Sequence, residues 1–280
     1  MNLFARAWAL FKSTHPIPSL AVTLLTVLFG LSYLLPFQHL ALVGLSVLAQ
    51  QFSVGLSNDW LDYDRDKSVN RLDKPTARGE VSAKLVRNSS ITAGFVALAL
   101  SASFGWPSGL MMALLLAVGW SYNLGLKSTG FSVMPYAIGF GILPVFVTLS
   151  FQQPQLPSWW VIIAASLLGV SAHFANALPD LLDDRKTGVR ALPHILGQRA
   201  SALVIAGTAI LATTLVVTQS PSLNLVIAIS GFALTIGLAL GASVLALRPR
   251  PPRAIFHLLI AASFVNVVLL VLGQSNTAAI

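Results

Sequence analysis

The stretch from Asn58 to Asp66, NDWLDYDRD, places Asp59, Asp62, Asp64 and Asp66 close together in a chain where only 9% of residues are charged. This segment decides how the rest is read, because ionised carboxylates beside hydrocarbon are costly unless something cationic meets them. The chain around it is hydrocarbon-like: its 280 residues are 55% hydrophobic, with a mean hydropathy of +0.78. Short polar segments break the apolar runs about every 20 residues. That pattern excludes an ordinary soluble domain and predicts an all-α polytopic membrane protein.

Apolar runs long enough to cross roughly 30 Å of hydrocarbon lie at about residues 17–35, 40–57, 85–104, 108–122, 131–150, 159–178, 200–218, 223–247 and 254–273, which predicts nine transmembrane helices. The first run follows Arg6 and Lys12 but is long and has no small-residue cleavage site, so it reads as a retained helix rather than a signal peptide. Cytoplasmic loops carry the excess of Lys and Arg. On the nine-helix partition every one of the 17 Lys and Arg residues falls on one side, and the opposite loops, such as FQQPQLPS, hold none. The orientation predicted is N-terminus cytoplasmic and C-terminus outside. The net charge of +8 is then mostly topology. It suits contact with anionic lipid headgroups and calls for no nucleic-acid partner.

The nine carboxylates lie on that side too, in two places: Asp59, Asp62, Asp64, Asp66, Asp73 and Glu80 after the second predicted helix, and Asp180, Asp183 and Asp184 after the sixth. Aligning Asn58 with Asp180 aligns Asp62 with Asp184, so the two clusters share a four-residue rhythm. Four residues advance a helix by about 6 Å and return close to the same face. Asn58, Asp62 and Asp66 therefore form one stripe, and Asn176, Asp180 and Asp184 another. Two facing stripes repel unless a cation sits between them. Hard oxygen ligands suit Mg²⁺, which keeps waters and bridges carboxylates to phosphates. The chain has no Cys and its five His are scattered, which excludes a thiol nucleophile and argues against zinc. A charged cytoplasmic loop would explain one such cluster. It gives no cause for two with matched spacing.

NDWLDYDRD resembles the NDxxDxxxD motif of the UbiA family of intramembrane prenyltransferases. The NRLDKPTARGEVS that follows is similar to that family's basic loop, and DLLDDRKTG resembles its second motif, DxxxDxxxG, through Asp180, Asp184 and Gly188. YNLGLK, ending in Lys127, resembles the Tyr and Lys element after the family's fourth helix. Lys74 stands where the family often has an arginine, and ALPHILG is similar to members acting on quinone precursors.

The resemblance implies one membrane-embedded domain over residues 1–280, with pseudo-repeat halves of about 1–125 and 126–280. Its helices would ring a central cavity, with the active site facing the cytoplasm. It further implies transfer of a prenyl group from an isoprenoid diphosphate to an aromatic or lipid acceptor. Asn58, Asp62, Asp66, Asp180 and Asp184 would hold one or two Mg²⁺ ions, with Asp59 a ligand or an orienting group. Asp62, Asp66, Asp180, Asp184 and Lys127 are the catalytic candidates. Arg65, Arg71, Lys74 and Lys127 would contact diphosphate, with Tyr122 and Asn176 candidates on the same site and Tyr122 alternatively an interface anchor. Asp64 points off the stripe and is expected to be solvated or paired. His173 is expected to make a helix-packing hydrogen bond, with the cavity as its alternative, and His15 and His257 could assist an acceptor, though nothing local demands it. Among rival classes, carriers bury ionisable groups near the bilayer midplane, and no predicted helix here has one at its centre. The DGxxAR opening of CDP-alcohol phosphotransferases is absent. The intact carboxylates argue against an inactive binding relative.

Overall fold

The computed structural model describes residues 2–69, 71, 73–181, 188–220 and 222–274, and these contain helices and turns but no strand. The helices are α1 (Leu3–Lys12), α2 (Pro16–Leu31), α3 (Phe37–Leu61), α4 (Tyr63–Ser68), α5 (Ala83–Ala102), α6 (Trp106–Leu124), α7 (Met134–Leu149), α8 (Trp159–Ala177), α9 (Leu192–Thr218), α10 (Leu225–Ala246) and α11 (Ala254–Gln274). Two 3₁₀ turns, Leu126–Ser128 and Leu178–Asp180, extend α6 and α8.

Local chemistry sets the helix ends. Proline occupies one of the first two positions of α2, α6, α7 and α9, where its missing N–H costs nothing. Asn2, Ser82 and Asn224 cap α1, α5 and α10 by accepting backbone N–H groups through their side chains. Gly125, at φ 150°, ends α6 in a conformation other residues avoid.

Among the described residues six helices are long and apolar enough to cross a membrane: α3, α5, α8 with its 3₁₀ extension, α9, α10 and α11. Helices α1 and α2 together make a seventh candidate, bent by 62°. Helix α7 is apolar but has only 16 residues. Outward-facing side chains such as Leu203 (75% exposed) and Leu225 (72% exposed) are apolar, as a hydrocarbon solvent demands.

Each long helix packs on its successor in the chain, and α11 returns to α2, so the bundle closes on itself. One buried cluster, including Phe29, Val47, Met112 and Phe146, draws on α2, α3, α5, α6 and α7 and also on α8, α9 and α11. A second, including Phe174, Ile205, Ala242 and Ile255, lies among α8 to α11. The buried Ala239, Ala242 and Ala246 leave α10 close to its neighbours, the small-residue packing that membrane helices use.

Two boundaries differ from the sequence reading, and both matter to the site. Helix α3 runs past residue 57 to Leu61, stops at Asp62 and restarts as α4, so Asn58, Asp62 and Asp66 do not share one continuous helix. Ahead of the expected run at about 200–218, α9 carries a short helical segment from Leu192, set off from the long part by a break at Gly197 (φ 78°, ψ 174°).

One close approach fixes the turn between α1 and α2 against α3. A Cβ on Gly55 would stand 2.4 Å from the Thr14 carbonyl oxygen, a backbone atom that cannot swing aside. Gly55→Ala is expected to cost about 1–3 kcal/mol and to shift the neighbouring His15, read as a lower melting temperature in detergent. An unchanged melt would show that the turn moves freely.

Candidate active site

The site forms at one end of the bundle, where α3 and α8 finish and α2 and α11 begin. Asp59 and Asp62 sit at the end of α3, Asp66 on α4, and all three are buried. Their partner is Lys74, only 8% exposed, from the loop before α5. Its Nζ lies 3.1 Å from Asp59 Oδ1, 2.9 Å from Asp66 Oδ2 and 3.9 Å from Asp62 Oδ2, and it donates to Asn58 Oδ1 at 3.0 Å. Burial works against the charge on Lys74, but Asp59, Asp66 and Asp62 outweigh it and hold its pKa above the ordinary lysine value.

Asp62 has two further cations. Lys127 donates to its Oδ1 at 2.5 Å and Arg65 to its Oδ2 at 3.0 Å, while Arg65 also approaches Asp66 to 3.8 Å. Burial lowers the Lys127 pKa below the usual range, partly offset by Asp62.

Arg71 joins the two acidic regions. Its Nε and Nη2 each donate to Asp73 at 3.0 Å, and Nη2 also lies 3.8 Å from Asp180 Oδ2. The hydrogen bonds from Arg71, together with Arg253, hold the Asp73 carboxyl well below the usual carboxylate range. The reciprocal bond to Asp73, opposed by burial and reinforced by Asp180 and Asp66, raises the Arg71 guanidinium above its ordinary value. Asp180 thus stands beside the same guanidinium that feels Asp66. Asp184 and Asp183 lie outside the described residues.

Tyr122 and Asn176 both meet Tyr136. The Tyr136 ring centroid is 5.3 Å from that of Tyr122 and 5.0 Å from that of His173, and Asn176 Nδ2 donates to Tyr136 OH at 3.3 Å. His173 makes the expected packing bond: its Nε2 lies 3.0 Å from Ser132 Oγ, which also accepts the Leu192 N–H and so ties α8 to the start of α9. Asp64 is exposed, as expected.

Four participants escaped the sequence reading. His15, in a left-handed conformation at φ 52°, puts Nε2 2.9 Å from Asp59 Oδ1. Asn123 accepts from Asn58 Nδ2 at 3.1 Å and donates to Val54 O and Ser57 Oγ, which locks the last turn of α3. Asp73, noted only as an acid, is the anchor of Arg71. Arg253, 180 residues from Asp73, donates to it at 3.0 Å. The contacts of His15 and Arg253 are tertiary and leave no local mark. Asn123 lies inside the YNLGLK stretch, where its polarity at a helix end was a readable signal.

The donor chemistry fits Mg²⁺: carboxylate and amide oxygens, no thiol, and a buried Asp66 Oδ2 that is paired with Lys74 by charge but has no aligned hydrogen-bond donor. Among the described residues no three acidic or histidine groups form a metal cage by themselves. A divalent ion would need to complete its shell with a ligand's phosphate oxygens and water, the arrangement Mg²⁺ favours.

The profile of the UbiA prenyltransferase family matches residues 19–268, and the chain belongs to that family. It is 25% identical over 170 residues to the digeranylgeranylglyceryl phosphate synthase of Pyrococcus horikoshii, covering 60% of this chain and 61% of that one. It is 30% identical over 190 residues to the bacteriochlorophyll synthase 33 kDa chain of Cereibacter sphaeroides, covering 64% of this chain and 62% of that one. The matched part thus spans less than two thirds of either relative. A solved UbiA homologue from Archaeoglobus fulgidus, bound to GPP and Mg²⁺, shares the fold with a TM-score of 0.71 at 17% identity, covering 97% of this chain and all of that one.

Proposed function

We propose that this protein is a Mg²⁺-dependent prenyltransferase, moving a prenyl group from an isoprenoid diphosphate to a lipid or aromatic, pigment-type acceptor. It would act as one membrane domain of nine spanning helices in two pseudo-repeat halves, with its N-terminus and active site on the cytoplasmic side. The observation that carries the reading is Arg71, which stands between the α3–α4 carboxylates and Asp180. Support for a lipid or pigment acceptor comes from the names of the two relatives.

In the reaction the C–O bond of the allylic diphosphate breaks, its electron pair leaves with the diphosphate, and a nucleophilic atom of the acceptor bonds to the prenyl carbon and loses a proton. Lys127, Lys74, Arg65 and Arg71 would bind the leaving group by charge-assisted hydrogen bonds. Asn58, Asp59, Asp62, Asp66 and Asp180, with Asp184, would hold Mg²⁺, which when bound neutralises charge on the departing diphosphate. His15 and Asn123 keep Asp59 and Asn58 in place. The apolar bundle interior takes the hydrocarbon tail and excludes water.

The test uses the full chain in nanodiscs with farnesyl or geranylgeranyl diphosphate, Mg²⁺ and a panel of lipid and aromatic acceptors. Product formation and diphosphate release that vanish with EDTA are expected. Lys127→Ala should weaken donor binding on the order of tenfold or more, the loss of one charge-assisted bond. Turnover that ignores EDTA, or unchanged donor affinity in Lys127→Ala, would count against these assignments.

A further inference from the structure

The loop joining α10 to α11, residues 247–253, reads LRPRPPR. Its three prolines fix φ at every second or third position, so the loop has few conformations to lose when it is ordered. Arg253 is held further by the first turn of α11, where its carbonyl accepts the Phe256 N–H at 3.1 Å and the Pro252 carbonyl accepts the Ile255 N–H at 3.2 Å. Its side chain therefore extends from a stiff base.

That side chain ends on the loop before α5. Arg253 Nη2 donates to Asp73 Oδ2 at 3.0 Å, the same oxygen that accepts from Arg71 Nη2 at 3.0 Å, while Asp73 Oδ1 accepts from Arg71 Nε at 3.0 Å. Asp73 is gripped by two guanidinium groups at once. It occupies the Nε–Nη2 edge of Arg71, and Arg71 Nη1 makes no hydrogen bond among the described residues, which leaves that end for an anion.

Stability does not account for the contact. Arg253 is 66% exposed and Asp73 38%, and an ion pair so open to water adds little to folding. What the contact fixes is orientation. A planar fork bound along one edge to a carboxylate turns only if the carboxylate moves, and Arg253 restrains that carboxylate from a separate part of the chain. Arg71 so held keeps Nη2 3.8 Å from Asp180 Oδ2, between the two acidic regions.

We infer that Arg253 is a positioning residue for the diphosphate donor: through Asp73 it holds the Arg71 guanidinium in the orientation that binds diphosphate. The loop between the last two helices thereby completes a site whose other groups come from earlier in the chain. Arg253 itself stays off the donor. The inference rests on the donor proposed above and adds to it a residue that lies outside both aspartate motifs.

The measurement is equilibrium binding of farnesyl thiodiphosphate, whose bridging sulfur slows ionisation, to the full chain in nanodiscs with Mg²⁺. Arg253→Ala is expected to weaken binding about fivefold, part of what one charge-assisted bond contributes, with no change in melting temperature. Arg253→Lys should recover most of the affinity, because an ammonium still pairs with the Asp73 carboxylate. Arg250→Ala, exposed in the same loop, is the control and should bind as wild type does. In an Arg71→Ala background, Arg253→Ala should add nothing, since the group it positions is gone. An equal loss in both backgrounds would mean that Arg253 acts on the donor directly, and a melting temperature that falls with the affinity would mean that its role is structural. Unchanged binding in Arg253→Ala would mean that Arg71 needs no such support. Any of these three results overturns the inference while leaving the donor reading intact, whereas a wild type that binds no isoprenoid diphosphate overturns both.

Discussion

Asp62→Asn is expected to lower diphosphate release from an isoprenoid diphosphate by on the order of 10²–10³-fold, the cost of removing one preorganised electrostatic group from a reacting centre. Asparagine keeps the shape and removes the charge. Asp62 meets Lys127 at 2.5 Å and Arg65 at 3.0 Å and lies 3.9 Å from Lys74, so the substitution strips the shared anion from three cations at once. Lys127 suffers most. Burial already lowers its pKa, and Asp62 is the carboxylate that opposes this and holds its ammonium in place. The measurement is single-turnover diphosphate release, with a melting curve to confirm that the variant is folded. Asp64→Asn is the control, because Asp64 is exposed and should leave release unchanged. Release within about threefold of wild type in Asp62→Asn would remove Asp62 from the site.

Lys74→Met is expected to produce the largest loss of stability. The side chain is 8% exposed and neutralises Asp59 and Asp66 at 3.1 and 2.9 Å. Removing one partner of a buried pair while leaving the other costs about 3–5 kcal/mol, and here the carboxylates left behind are close to each other as well. The cost should appear in EDTA as a much lower melting temperature. Millimolar Mg²⁺ should raise the melting temperature of the variant more than that of wild type, because the freed carboxylate oxygens are hard ligands. Hence Lys74 and a divalent ion would compete for the same oxygens, a reading that fails if the variant melts with wild type in EDTA.

These residues were legible because their signals are local. Asp62 and Asp66 stood out as charge in an apolar chain, and Lys74, Arg65, Arg71 and Lys127 as the cations of the same loops. The apolar runs foretold most helices within a few residues: the run at about 159–178 is α8, Trp159–Ala177. The misses arise where tertiary contacts decide. Nothing near His15 announces that a left-handed turn aims it at Asp59, 44 residues away, and nothing near Arg253 points to Asp73. The stripe of Asn58, Asp62 and Asp66 survives the passage from α3 to α4, because the four-residue backbone bonds run on through Asp62 and all three side chains meet Lys74. The acids converge on the reach of Lys74.

Whether the acids of α3–α4 and those following α8 act on one ion is tested most directly by Mn²⁺ electron paramagnetic resonance on the full chain in nanodiscs, titrated with inorganic diphosphate present. Wild type should bind Mn²⁺, and Asp62→Asn and Asp180→Asn should each abolish the bound signal, because one shell draws on both clusters. Full Mn²⁺ binding in Asp180→Asn alongside loss in Asp62→Asn would contradict a shared ion.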